Sequence, residues 1–189
     1  MRKLSLVALA ALITVGTLFG ASYKVDAGHS SIDFKVRHMM VSYTKGTFDE
    51  FNGNFEYNPQ TKHLSKLFGN VNTSSVNTKD DKRDEHLRSA DFFNVKKYPK
   101  MQLELIKHSG DSAIFNLTIK GITKKVEFKV AELSALVKDP WGYKKSGFTL
   151  SATINRKDFN LNFNKVLDNG GLAVGDDVKM LLELEGIAI

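Results

Sequence analysis

Cysteine is absent from all 189 residues, which excludes a disulfide framework, a thiolate zinc site, a cysteine nucleophile and lipid acylation at a cysteine. Blocks of one charge sign are also missing. The 27 Lys and Arg stand against 21 Asp and Glu. Many lysines interleave with other residues, as Lys120, Lys124, Lys125 and Lys129 do around Ile122, Val126, Glu127 and Phe128. A nucleic-acid binder gathers its bases into a stripe with stacking aromatics, so no nucleic-acid partner is expected. There is no internal repeat, low-complexity tract or linker, which leaves one domain. What remains is 42% hydrophobic with 13 Phe, too apolar for disorder and long enough to close a core or cavity.

The N-terminus reads as a targeting segment. Arg2 and Lys3 precede an apolar run from Leu4 to Phe19, then the small residues Gly20, Ala21 and Ser22. That is the order of a secretory signal peptide, and the run is shorter than the roughly 20 residues that span a bilayer. The expected division is a signal peptide at 1–22, cut after Ser22, and a mature domain at 23–189, periplasmic or secreted. Removing 1–22 takes two bases and no acids, so the formal charge falls from +6 to +4.

Period-2 alternation dominates the mature chain and predicts eight strands. Ile32, Phe34 and Val36 oppose Asp33, Lys35 and Arg37. Further runs follow at Phe51–Tyr57, Lys66–Val76, Met101–Leu105, Phe115–Lys120, Val126–Val130, Phe148–Ile154 and Val178–Gly186, with turns at Asn58-Pro59 and Lys120-Gly121. Thr78 to Ala90 reads as helix, with Asp80 and Asp81 suited to its N-terminus, and Met39 to Ser42 as one more short turn. Antiparallel strands with one apolar face form a sandwich or a closed barrel. Eight strands make a barrel just wide enough to be filled or to hold one small ligand. An elongated apolar lumen suits an elongated apolar ligand.

Catalytic and metal signatures are lacking. Ser30, His38 and Asp33 have no nucleophile elbow around them, and Asp33 has the opposite strand parity to His38. Asp168-Asn169-Gly170-Gly171 with Gly175-Asp176-Asp177 lacks the ligand spacing of a calcium loop. No catalytic residue, metal or cofactor is expected; a hydrolase is the weakest alternative. His38 continues the parity of Ile32, Phe34 and Val36, so it either contacts a ligand head group from the lumen or is a core histidine. His29 with Ser30 marks a turn that pins the first strand. His86 belongs to a charged cluster with Arg83, Asp84 and Arg88, and His63 and His108 read as exposed. Phe48, Phe51, Phe92, Phe93, Phe148, Phe159 and Phe163 line the cavity or fill ordinary core. Trp141, in Asp139-Pro140-Trp141-Gly142-Tyr143, is a lid, a membrane or partner contact, or a plug.

Several motifs recur in order: His29-Ser30-Ser31-Ile32-Asp33-Phe34, Ser75-Val76-Asn77-Thr78, Arg83-Asp84-Glu85-His86-Leu87-Arg88-Ser89-Ala90-Asp91-Phe92-Phe93 with Tyr98-Pro99, Leu117-Thr118-Ile119-Lys120-Gly121, Ile154-Asn155-Arg156-Lys157-Asp158-Phe159 and Val174-Gly175-Asp176-Asp177. Together they resemble the YceI-like, polyisoprenoid-binding family. Asn160 departs from the usual Gly, and Asn adopts positive φ less freely. The resemblance implies a lipocalin-like antiparallel barrel, export, a long isoprenoid or similar amphiphile such as a fatty-acid derivative in the lumen, and commonly a homodimer. On this reading Phe34, Val36, Met101, Leu103, Phe115, Leu117, Phe128, Phe148, Leu150, Met180 and Leu182 form the apolar wall. His38 supplies a polar contact, and Trp141 is counted with the ligand residues. The competing class is a protein-interaction or stress-response module in which the barrel is only a scaffold.

Overall fold

The computed structural model describes residues 20–168 and 170–189, so the apolar run of the expected signal peptide lies outside the described residues. Twelve strands are described: β1 (Ala21–Val25), β2 (Ser31–His38), β3 (Ser42–Phe48), β4 (Phe51–Asn58), β5 (His63–Asn72), β6 (Val76–Asn77), β7 (Lys100–Ser109), β8 (Ser112–Ile119), β9 (Ile122–Ala131), β10 (Val137–Lys138), β11 (Lys144–Asn155) and β12 (Val174–Ala188). One α-helix, α1, spans Asp81–Arg88.

Eight strands, β11-β9-β8-β7-β5-β4-β1-β12 and back to β11, close an antiparallel barrel. Alternation explains the wall. Phe148 lies opposite Leu184 and Leu150 opposite Leu182, all four buried, while the Thr149 and Glu183 pair between them points outward. Closure pairs the edges that an open sheet would leave free, so the fold holds together without disulfides.

The expected strand number is met, but not the membership. The Ile32–Arg37 run, in β2, lies outside the closed ring, and the short Ala21–Val25 strand is in it. Both lie along one edge of β12. Tyr23 opposes Ala188, whereas Ile32 opposes Leu182 and Phe34 opposes Met180. A 3-10 turn at Ala27–His29 interrupts what is otherwise one long strand. Asp26 caps that turn by accepting from the Gly28 N–H, and the Ser30 hydroxyl donates to the Glu185 carbonyl and accepts from the Glu185 N–H. The His29-Ser30 pair therefore pins the strand, as expected. Ala21 and Ser22, assigned above to the signal peptide, pair with Tyr57 and Glu56 of β4.

Beyond the closed ring, β2 pairs with β3 and β3 with β6. The 3-10 turn Thr73–Ser75 links β5 to β6, returning this flap to the wall, and α1 packs against β6. Helix α1 is shorter than expected because Thr78 is recruited elsewhere. Its N–H and hydroxyl donate to the buried Asp84, and Arg83 Nε donates to its hydroxyl at 2.7 Å. Asp80 becomes the N-cap, accepting from the Arg83 N–H at 3.0 Å. Arg88 donates to the carbonyls of Ser74 and Val76, fastening the helix over the barrel. In place of ion pairs within the expected cluster, Arg83 and Asp84 meet on the Thr78 hydroxyl, His86 faces Asp91 and Arg88 reaches the carbonyls of Ser74 and Val76.

Three other expectations change. Met39 to Ser42 is a hairpin turn, not a helical one, with Met39 at φ 50° and Met40 at φ 60°. Asn160 accepts the left-handed conformation, φ 57°, and its N–H closes the Arg156–Phe159 turn on Lys157. His108 is buried, 7% exposed. A bulge in β7 between Leu105 and Lys107 reverses the parity set by Met101, Leu103 and Leu105, turning His108 inward opposite Ala113.

The His108 Nδ1 accepts the Leu64 N–H at 3.1 Å, which requires an unprotonated nitrogen there. Burial, with a smaller contribution from His63, pushes its pKa below the ordinary histidine value, and the Gly110 backbone acts the other way. The unfolded chain therefore binds more protons than the folded chain once pH drops below about 6.5. Stability is expected to be fully present above that pH and to fall as pH falls, by at most about 1.4 kcal/mol per unit, levelling below the folded pKa. Chemical denaturation at pH 7.5 and 5.5 checks this: His108→Asn should lose part of that pH dependence, and an unchanged slope would rule out His108 as its source.

Candidate functional site

The barrel has two dissimilar ends. At the end reached by β1, the start of β11 and the C-terminus of β12, aromatic side chains close the interior. Tyr23 stacks on Phe55 at 4.9 Å, Phe148 meets Phe55 edge-on at 5.0 Å, and Tyr57 donates to the Ser134 carbonyl. Burial raises the Tyr23 and Tyr57 pKa values, keeping both neutral. Toward the other end, where β2 finishes at His38 and β12 starts at Val174, lies a cavity of about 320 Å³. Its size is at the lower end of small-molecule sites.

Parity sends the right residues inward, and glycine makes the room. Gly53 and Gly69 face each other across β4 and β5, and Leu103 of β7 continues the row. With no side chains there, neighbouring wall residues Asn52 and Asn70 also border the space. A Cβ built on Gly69 meets only the Asn52 carbonyl oxygen, at 3.7 Å, whereas one on Gly53 approaches the Phe68 carbonyl oxygen to 2.8 Å. The remaining wall is mostly apolar, with Phe34, Val36, Phe48, Phe93, Leu117, Phe128, Met180 and Leu182 among its members.

Of the ligand residues expected from sequence, Phe34, Val36, His38, Met101, Leu103, Leu117, Phe128, Met180 and Leu182 border this cavity. Phe115, Phe148 and Leu150 do not; they are buried among the packed side chains of the barrel core. Trp141 does not either. It is 81% exposed on the turn joining β10 to β11, at the closed end, so it is neither lid nor plug. Phe92, Phe93 and Phe163 border the cavity, one of the two places expected for them, whereas Arg83, His86 and Leu87 of α1 border it without having been expected there. His86 lies edge-on to Phe92 at 5.1 Å and to Phe163 at 4.6 Å, the signal being its Phe-rich surroundings. Phe159 is core instead.

The polar groups at the rim are mostly committed. Arg156 is 3% exposed and donates to the carbonyls of Leu161, Phe163, Val174 and Gly175 and to Asp176. Burial lowers its pKa and Asp176 opposes this, so its task is to hold the 161–176 segment against the barrel. Arg83 is spent on Thr78 and Arg37 on the Met40 carbonyl. His38, by contrast, borders the cavity with an exposed ring at the end of β2.

One set of metal-type ligands occurs among the described residues: Asp26, His29 and Glu185 lie together outside the cavity. Lys145 already supplies the cation, 2.8 Å from Glu185 and 3.2 Å from Asp26. Glu185, then Asp26, raises the Lys145 pKa against partial desolvation. Partial burial works to raise the Asp26 pKa, but bonds from His29, Lys145 and Gly28 outweigh it and hold it low. Ser30, occupied by Glu185, forms no catalytic set with His38.

Fold and site define a closed antiparallel barrel with a mostly apolar internal cavity toward one end. The chain belongs to the YceI-like domain family, whose model matches residues 23–186. It is 40% identical to a UPF0312 protein of Pseudomonas aeruginosa (strain LESB58), covering 99% of each chain. Among solved structures it is similar to the Campylobacter jejuni YceI protein, with a TM-score of 0.69 and 29% identity over 79% of this chain and 87% of that one. A polyisoprenoid binding domain from Saccharophagus degradans shares the fold, with a TM-score of 0.65 and 16% identity over 89% and 99%.

Proposed function

We propose that this protein is an exported binding protein that holds an elongated isoprenoid or fatty-acyl chain in the barrel cavity, for carriage or storage. The observation that carries the reading is the cavity itself, walled mainly by aliphatic and aromatic side chains and widened by the Gly53–Gly69 pair. The polyisoprenoid binding described for the Saccharophagus degradans domain supports the same ligand class. Each buried CH₂ contributes about 0.8 kcal/mol, so about 15 carbons offer about 12 kcal/mol gross. Association and ordering take several kcal/mol back, leaving an affinity near micromolar. No catalytic group is needed for that. His38 is the head-group contact in this reading, and the family resemblance adds a homodimer.

Native mass spectrometry of the protein recovered from the export compartment, followed by solvent extraction, is the test. One long-chain lipid per barrel is expected, on a chain lacking the N-terminal apolar run. A protein that never takes up lipid from such a compartment or from added isoprenoid would overturn the carrier reading. A second reading, a partner-binding scaffold, is favoured by the exposed β10–β11 turn, where Val137, Trp141 and Tyr143 are 59%, 81% and 56% exposed. In that case Trp141→Ala should abolish partner capture and leave lipid content unchanged.

A further inference from the structure

We propose that the tip of the β2–β3 hairpin is a membrane-contact surface that seats the cavity on an anionic lipid bilayer. The inference rests on the lipid-binding reading and adds where the lipid is exchanged. Met39, Met40 and Val41 form the tip and are 43%, 59% and 82% exposed. They follow His38, which borders the cavity. The Met39 N–H donates to the Ala173 carbonyl, and the Ala173 N–H to the Lys165 carbonyl. Those bonds bring Val166, 74% exposed, beside the same tip. Four apolar side chains thus project into solvent beside the end of the barrel that holds the cavity.

The turn is built against local preference. Met39 and Met40 both have positive φ, where Asn-Gly is the favoured pair and a β-carbon crowds the backbone. Exposed methionines gain nothing from that conformation in water. Strain of this kind collects at functional sites, and flexible methionine adapts well to an irregular apolar surface such as a lipid interface.

Charge identifies the partner. Register places Lys179 opposite Lys35 and Lys35 opposite Lys45, three like charges in one row on the outer face of β12, β2 and β3. Directly opposed like charges destabilise a sheet unless something negative faces them. Asp33 and Asp177, two residues along the same face, answer only part of that charge, and Arg37 over the Tyr43 ring adds to it nearer the tip. The row begins three residues from the hairpin end, at a height where anionic head groups would meet it within a Debye length when the tip is embedded. The exposed aromatic turn at Trp141 lies at the closed end and gives no access to the cavity.

Flotation with phosphatidylcholine vesicles, with and without one-third phosphatidylglycerol, tests this on the mature protein. Binding is expected only to the anionic vesicles and should weaken as salt rises. Met39→Asn with Met40→Gly suits the turn better, so melting should be unchanged or raised while vesicle binding falls at least tenfold. Lys35→Glu with Lys45→Glu should remove the preference for phosphatidylglycerol. Trp141 is the only tryptophan, so its emission should not move on vesicle addition, whereas Val41→Trp in a Trp141→Phe background should shift to the blue. Unchanged binding by the Asn-Gly variant, or a blue shift of Trp141 instead, overturns the proposal. Loading with cis-parinaric acid in solution separates the two readings. A protein that loads but ignores vesicles sinks only the docking surface, and one that does not load sinks the carrier reading.

Discussion

Phe115→Glu is expected to prevent folding or to lower the melting temperature by about 10–20 °C, with no selective loss of lipid. Phe115 is fully buried and meets Phe128 edge-on at 5.1 Å. Removing a buried Phe costs about 3–5 kcal/mol, and a carboxyl placed there without a partner adds desolvation or must remain protonated. The sum approaches the whole stability of an ordinary domain, about 5–15 kcal/mol. For a chain of this length, each kcal/mol is worth about 2–4 °C of melting temperature. Leu150→Glu, at a second fully buried site, should behave alike. Calorimetry reads both. A Phe115→Glu protein that melts normally but takes up no lipid would mean that Phe115 faces the ligand space after all.

Gly69→Phe should do the reverse, keeping the fold and closing the cavity. The backbone at Gly69 is ordinary strand, and the new Cβ would meet only one carbonyl oxygen at van der Waals distance. The ring then occupies space a ligand would fill. Excluding three to four CH₂ groups at about 0.8 kcal/mol each predicts an affinity loss of about 100-fold. Titration with a fluorescent fatty acid reads the affinity, and a melting curve reads the fold. Undiminished affinity in a well-folded variant would show that the ligand does not use this cavity. Gly53 is the poorer choice, because its Cβ would press on the Phe68 carbonyl and confuse blockage with distortion.

The difference between these two positions shows what the sequence makes legible. Phe115, Leu117, Leu103 and Gly69 all sit on inward-facing positions, and alternation reads that correctly for most wall residues. Parity does not report height along the barrel. Phe115, Phe148 and Leu150 carry the inward signal and belong to the packed core, while Gly53 and Gly69 carry almost no hydrophobic signal and shape the cavity. The polar rim was harder still. Arg156 is inward by the same alternation that buries Ile154, yet its function is to bind four carbonyls of a segment up to about twenty residues away.

The sequence alone determined the strand-rich architecture, the inward face of each alternating run, the turn at Lys120-Gly121 and the family motifs, because each depends on residues close together in the chain. Tertiary structure decided the rest. The short β1, not β2, completes the ring, since both lie along one edge of β12, at different heights, and only β1 reaches β4. The β7 bulge buried His108, because one extra residue reverses the parity of all that follow. Which end is packed and which holds the cavity was decided by cross-strand register, which brings the aromatics of β1, β4 and β11 together at one end and two glycines together farther along. These are contacts between distant segments, and no local periodicity encodes them.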